Sequence, residues 1–305
     1  MFILLIACNQ KNESVNKPIE NPYILILGNA QDAGYPQAGC EKECCKKVYE
    51  NPENARLVSS IALIDPVTNE NWIFDATPDF PKQLKLLSNH LKRPENLPNG
   101  IFLTHAHIGH YTGLMHLGRE AMSTNNIPVY AMPKMKMFLS ENGPWSQLVN
   151  LKNIELKALQ KEAVIVLNKR ISVTPIQVPH RDEYSETVGF IINASSKKAL
   201  FIPDIDKWNK WETKIVELIK EVDIAILDAT FFKEGEINRP MNEIPHPFVE
   251  ESMELFKNLS KTDKRKVYFI HFNHTNPLLI DGSEAQKIVL QNGFQIAKQG
   301  MVIGL

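Results

Sequence analysis

The chain has 305 residues, 43% of them hydrophobic, enough apolar material to bury one large core. Lys plus Arg number 34 against 35 Asp plus Glu, a formal net charge of -1, so no long-range field gathers a polyanion and the composition argues against nucleic acid as the main partner. Beyond residue 22 there is no tandem repeat and no apolar run approaching the roughly 20 residues that a membrane helix needs.

In chain order, the first feature is the apolar run Phe2-Ile3-Leu4-Leu5-Ile6-Ala7, which ends at Cys8 and is too short to cross a bilayer. Leu5-Ile6-Ala7-Cys8 resembles the lipobox of bacterial lipoproteins, without the usual positive segment ahead of it. That resemblance implies a lipid on Cys8 and anchorage on the outer side of a bacterial cytoplasmic membrane or in the periplasm. The alternative is a frayed apolar terminus on a cytoplasmic protein. Residues 9–22 are polar, contain Pro18 and Pro22, and read as a flexible tether. The expected organisation is thus a leader and tether over 1–22 and one domain over 23–305.

Residues 23–27 read as a buried strand stopped by Gly28, and 31–39 as a loop marked by glycine and proline. Strands are predicted at 60–64 and 71–74, with turn chemistry between them. Phe80, Leu84, Leu87 and Leu91 have helical spacing, and residues 100–104 form a strand that runs straight into a histidine cluster. Helices are then predicted at 113–122, 134–141, 208–220 and 247–259, and strands at 129–131, 163–167, 171–176, 188–192, 199–202, 224–227 and 267–270. Strand hairpins interrupted by helices predict an α/β sandwich with mixed sheets, and not a doubly wound parallel sheet.

Five of the nine histidines fall at strand ends: His105, His107 and His110 after 101–103, His180 after 176–178, and His271 after 267–270. Loops at the ends of buried strands are where a rigid scaffold can hold neutral imidazoles around a metal ion. A lone histidine is ordinarily a surface or satisfied core residue, but three in six residues behind an apolar strand point to a metal. His90 and His116 lie in helical patterns and read as ordinary residues.

The segment Thr104-His105-Ala106-His107-Ile108-Gly109-His110 resembles the His-x-His-x-Asp-His signature of the metallo-β-lactamase superfamily. The resemblance implies an αββα sandwich of two mixed β-sheets. It also implies a first metal on His105, His107 and His180, a second on His110 and His271, and Asp204 bridging the two, with Asp206 as its competitor. Gly109 departs from the signature, which has Asp there. The second site would keep three ligands and hold its metal through added water, hold it weakly, or recruit another carboxylate. Fewer anionic ligands favour imidazole-preferring metals, so one or two zinc ions are expected, with iron or manganese as alternatives.

Gly28-Asn29-Ala30-Gln31-Asp32-Ala33-Gly34-Tyr35-Pro36-Gln37, Asp75-Ala76-Thr77-Pro78-Asp79 and Ile270-His271-Phe272-Asn273-His274-Thr275-Asn276-Pro277 resemble the coenzyme PQQ biosynthesis protein B branch. That branch is similar in turn to a phosphonate-pathway cyclic phosphodiesterase and to tRNA 3′-processing endonucleases. The endonucleases carry His-Glu-Ala-Thr where this chain has Leu227-Asp228-Ala229-Thr230, which weakens a tRNA reading. By position His246 matches a family histidine facing the metal centre and is a candidate proton donor; a helix-capping or surface role is the alternative. Cys40, Cys44 and Cys45 resemble the structural zinc clip of these relatives, with His274 as a fourth ligand, against buried free thiols. Tyr35, Arg181 and Tyr184 are candidates for substrate contact. The resulting expectation is a metal-dependent hydrolase of a small molecule. Its rivals are an iron-dependent oxidase like the PQQ branch, and a binding protein that lost catalysis with Gly109. Oligomeric state is not readable from the sequence.

Overall fold

A computed structural model of the chain describes residues 20–93, 97–238, 240 and 243–305; Cys8 and the lipobox-like run lie outside the described residues. The alternation along the first strand already fixes how the layers stack. In β1 (Tyr23–Gly28), Ile24 and Ile26 join one apolar cluster while Tyr23, Leu25 and Leu27 join another, so both faces of the strand are covered. β2 (Ser60–Asp65), β3 (Glu70–Phe74), β4 (Gly100–Phe102), β5 (Ile127–Ala131) and β6 (Ile154–Ala158) extend this sheet in chain order. The second sheet comprises β7 (Ile165–Val166), β8 (Ile171–Gln177), β9 (Val188–Ala194), β10 (Lys197–Ile202), β11 (Ile224–Asp228), β12 (Val267–Ile270) and β13 (Gln295–Ile296). β14 (Val302–Gly304) returns to pair antiparallel with β1.

Each sheet has seven strands among the described residues, and the two share one plan. In the first sheet the β14–β1, β1–β2 and β2–β3 pairings are antiparallel, and β3–β4, β4–β5 and β5–β6 are parallel. In the second, β7–β8, β8–β9 and β9–β10 are antiparallel, and β10–β11, β11–β12 and β12–β13 are parallel. Between the sheets lies a core of Ile24, Ile61, Phe74 and Phe102 from one side and Phe190, Ile192, Phe201 and Ile226 from the other. Phe74 and Phe102 stack at 4.9 Å, and Phe190 meets Phe74 edge-on at 5.2 Å.

Helices cover both outer faces. In chain order they are α1 (Glu43–Glu50), α2 (Phe80–Leu91), α3 (Ile108–Tyr111), α4 (Pro133–Glu141), α5 (Trp145–Asn150), α6 (Ile215–Glu221), α7 (Val249–Leu255), α8 (Lys261–Arg265) and α9 (Glu284–Gln291). Phe80 and Leu87 of α2, Met135 and Leu139 of α4 and Leu148 of α5 close the first sheet's outer face. Val48 of α1, Ile215 and Ile219 of α6, Val249 of α7 and Val289 of α9 close the second's. The architecture is therefore the expected α/β sandwich of two mixed sheets between helical layers.

Several predicted helices are shorter than their apolar spacing suggests. The stretch 113–122 is a 3₁₀ segment (Thr112–Leu117) following α3, since Gly113 N donates to Ala76 O and Ala76 N donates to His110 O, both at 2.9 Å. The stretch 208–220 divides into a 3₁₀ turn (Trp208–Lys210) and α6, with the Trp208 indole donating to Ser252 Oγ at 2.9 Å and that of Trp211 to Gln177 O at 3.0 Å. The helix predicted at 247–259 is only α7, whose start is fixed by Phe248 N donating to the Glu251 carboxylate at 2.9 Å. Of the strand predicted at 163–167, only Ile165–Val166 pairs.

Candidate metal centre

The strand ends point at one another across the sandwich. From the first sheet, β3 is followed by Asp75, and β4 by Thr104, His105 and His107, with His110 in α3. From the second, β8 is followed by His180, β10 by Asp204 and β12 by His271, while Asp228 ends β11 and Thr230 follows it. Placing ligands at the carboxyl ends of strands, most of them parallel, is the general habit of open α/β sheets.

Asp204 sits at the middle of this set. Its Oδ2 lies 3.2 Å from His180 Nε2, 3.3 Å from His105 Nε2 and 3.7 Å from His110 Nε2. His107 Nδ1 is 2.9 Å from His105 Nε2, and ligand-type atoms of His105, His107, His180 and Asp204 all lie within 4.8 Å of one another. A second such group joins Asp204 to Asp228, His246 and His271, and a third joins Asp32, His110 and His271. Asp206 is not part of the centre: its carboxylate accepts from Lys207 N at 2.7 Å and Lys210 Nζ at 2.8 Å.

Two Asp–Thr pairs set the histidines' orientation. Thr104 Oγ1 donates to Asp75, which leaves it free to accept from His105 Nδ1 at 2.9 Å, and His110 Nδ1 meets Asp75 Oδ2 at 2.7 Å. In the same way Thr230 Oγ1 donates to Asp228 Oδ1 at 2.7 Å and accepts from His271 Nδ1 at 2.9 Å. Protonating Nδ1 in this way leaves the Nε2 lone pairs of His105, His110 and His271 directed at the centre, as ligating histidines require. His246 Nδ1 lies 2.9 Å from Asp228 Oδ2 and 3.1 Å from Asp204 Oδ1, so this residue is a buried member of the centre and not a helix cap, which is at Phe248.

Charge follows from this crowding. Burial, and His110 beside it, hold His105 well below its ordinary value. Burial also lowers His107, against the pull of Glu183, whose carboxylate lies 3.1 Å from its Nε2. His110 is raised well above its ordinary value because Asp75 and Asp32 outweigh its burial, and His246 is pushed up to about 10 by Asp228 and Asp204 against the same opposition. Asp204 stays well below the carboxylate range, since His180 and His246 outweigh its burial.

Among the described residues, the buried side-chain atoms with no hydrogen-bond partner include Asp32 Oδ1, His110 Nε2, both ring nitrogens of His180, Asp204 Oδ1 and His271 Nε2. Orphaned buried polar atoms are costly, and here they cluster at one point. Imidazole nitrogens and carboxylate oxygens in this arrangement fit a divalent cation such as zinc. The sequence reading singled out seven residues of this centre, His105, His107, His110, His180, Asp204, His246 and His271, and the structure brings them together. It overlooked Asp32, Asp75 and Asp228, although the strand-end rule used for the histidines applies equally to Asp75 and Asp228.

Away from the centre, Cys40, Cys44, Cys45 and His274 offer four ligand atoms within 4.8 Å of one another, the three cysteines being free thiols and His274 Nδ1 a buried atom without a partner. Burial pushes Cys45 up to about 12. Tyr35 is buried, with its hydroxyl donating to Cys44 O at 2.9 Å, so it braces this cluster and does not face a substrate. Arg181 and Tyr184 lie on the exposed side, where Tyr184 is 65% accessible.

Residues 70–272, more than half of the chain, match the β-lactamase superfamily domain, and the protein belongs to that superfamily. Within it, the chain is 25% identical over 310 residues to the coenzyme PQQ synthesis protein B of Acinetobacter baylyi, covering 92% of this chain and 99% of that protein. Its fold is shared with the crystal structure of Zn(2+)-bound PqqB from Methylobacterium extorquens, with a TM-score of 0.77 at 21% identity over 93% of this chain and 100% of the other. A diphosphatase from the PhnP family shares it too, with a TM-score of 0.64 at 22% identity over 93% and 99%.

Proposed function

We propose that this protein is a metal-dependent hydrolase, with zinc as the expected metal, that directs water at an ester-like, phosphodiester or lactam bond of a small molecule. The convergence of unpartnered His and Asp atoms from both sheets on one point carries the reading, and membership of the β-lactamase superfamily supports it. His105, His107, His180 and Asp204 would hold one metal, and His110, His271 and Asp204 a second. When bound, such a metal supplies Lewis-acid polarisation and lowers the pKa of water from 15.7 toward about 7.

The protein's own groups do the rest. Asp204, with nitrogens of His105, His180 and His246 within 3.3 Å of its carboxylate, orients the attacking water. His246 holds one proton on Nδ1 against Asp228, so the proton it can hand to a leaving group is the one on Nε2. Its raised value keeps it charged at neutral pH, and a cation on Asp204 would bring that value down toward the range useful for proton transfer. The exposed side of the centre carries Glu183, Arg181 and Tyr184, where a substrate would approach.

Metal analysis after dialysis against buffered zinc, followed by a panel of phosphodiesters, thioesters, lactones and β-lactams, tests the reading. Turnover that disappears together with metal in His180→Ala supports it; a protein that binds no metal at these histidines overturns it. Similarity to PQQ synthesis proteins over most of the chain favours a second reading, an iron-dependent oxidase, which predicts oxygen uptake on loading with ferrous iron and no hydrolysis in the panel. We further propose that Cys8 carries a lipid; intact-mass measurement of the membrane fraction tests this, and an unmodified Met1 overturns it.

A further inference from the structure

Gly109 occupies the place where the superfamily signature has an aspartate, and the structure shows what fills the space a side chain would take. A Cβ built on Gly109 would lie 2.1 Å from Asp32 Oδ1, 2.6 Å from Asp32 Cα and 2.8 Å from Asp32 Cγ. The carboxylate of Asp32 therefore stands where a residue-109 side chain would begin. Only glycine tolerates such an approach.

Asp32 is also aimed. Its Oδ1 lies 3.3 Å from His110 Nε2 and 3.8 Å from His271 Nε2, and all three atoms are buried without hydrogen-bond partners. The loop carrying it is fastened to the segment carrying His271: Gln31 N donates to Phe272 O and Phe272 N to Asn29 O, each at 2.8 Å, and Asn273 Nδ2 donates to Gln31 Oε1 at 2.6 Å. At the far end of the same loop, Cys40, Cys44 and Cys45 meet His274, three residues beyond His271.

We propose that Asp32 is the relocated anionic ligand of the second metal, acting with His110, His271 and Asp204. The absence of a side chain at 109 and the presence of Asp32 are then one feature, because both the backbone and the carboxylate of Asp32 occupy the space a residue-109 side chain would need. This rests on the metal-centre reading above, and it removes the ground for regarding Gly109 as the mark of a lapsed site.

The test measures zinc per protein and zinc affinity, under competition with a chromophoric chelator, for the full chain and three variants. Asp32→Asn should lose one equivalent, or bind it roughly tenfold or more weakly, with the remaining zinc retained. Gly109→Asp alone should show the same loss, because the new side chain collides with Asp32. Asp32→Ala should lose the same equivalent outright. Cobalt absorption of each protein reports the change in coordination independently of turnover, and circular dichroism verifies that each variant is folded. Folded Asp32→Asn or Asp32→Ala with the wild-type ratio and affinity would overturn the proposal while leaving the metal centre standing. A wild-type chain with no zinc at the histidines would instead remove the reading on which the proposal is built.

Discussion

Asp75 touches no position proposed for a metal, yet its carboxyl is fully buried and fixes two histidines at once, His110 directly and His105 through Thr104. Asp75→Ala should therefore weaken zinc binding by about 10- to 100-fold, the usual cost of losing a group that orients a ligating histidine, measurable by competitive chelator titration. His246 makes a different prediction, for the metal-free protein. Its folded value of about 10 exceeds the ordinary 6.5, so its contribution to stability is complete below pH 6.5, declines from there and is gone above about 10. The gap in urea midpoint between wild type and His246→Gln should close over that window; a gap that stays constant would show that His246 does not hold its proton there. The histidines were legible because metal ligands at strand ends leave a local pattern in the chain. Asp32 was not, because its meaning depends on the space beside Gly109, which only the fold brings next to it.

At the level of strands and helices, the stacked Phe74 and Phe102 sit directly behind the β3 and β4 ends that lead to Asp75 and Thr104. Phe102→Ala should cost about 3–5 kcal/mol in urea unfolding, within the range for removing a fully buried ring. It should loosen zinc binding as well, since the β4 end is what sets the histidine loop. Buried strands were readable from their apolar runs, and the 80–91 helix from its spacing. The helices predicted at 113–122 and 208–220 are shorter than expected because apolar periodicity reports which face is buried, and not where the backbone leaves the helix, as at Gly113, whose N–H goes to Ala76 O. The six-residue helix α5, the two-residue strand β13 and the three-residue strand β14 carry too little pattern to be recognised at all.

Across the whole molecule, the centre draws His105, His107 and His110 from one sheet and His180, Asp204 and His271 from the other. A cation held by both is a clasp between the halves of the sandwich, present only in the folded state. The melting temperature should consequently rise with the logarithm of free zinc, by an amount equivalent to about 2.7 kcal/mol at one hundred times the dissociation constant. A melting temperature insensitive to zinc would contradict the clasp. The cysteine cluster should behave separately: if it holds zinc, thiol titration of native protein should show Cys40, Cys44 and Cys45 reacting only after a strong chelator is added.

Asp75 and His271 share one more property: both have positive φ, 67° and 69° respectively, one at the end of β3 and the other at the end of β12. A non-glycine residue in that region is uncommon and mildly unfavourable. Each sheet thus ends a strand in a kinked residue whose side chain belongs to the centre, Asp75 by orienting His110 and His105, and His271 by offering a ligand atom. Replacing either residue by glycine would ease the kink and at the same time remove the side chain that the centre uses.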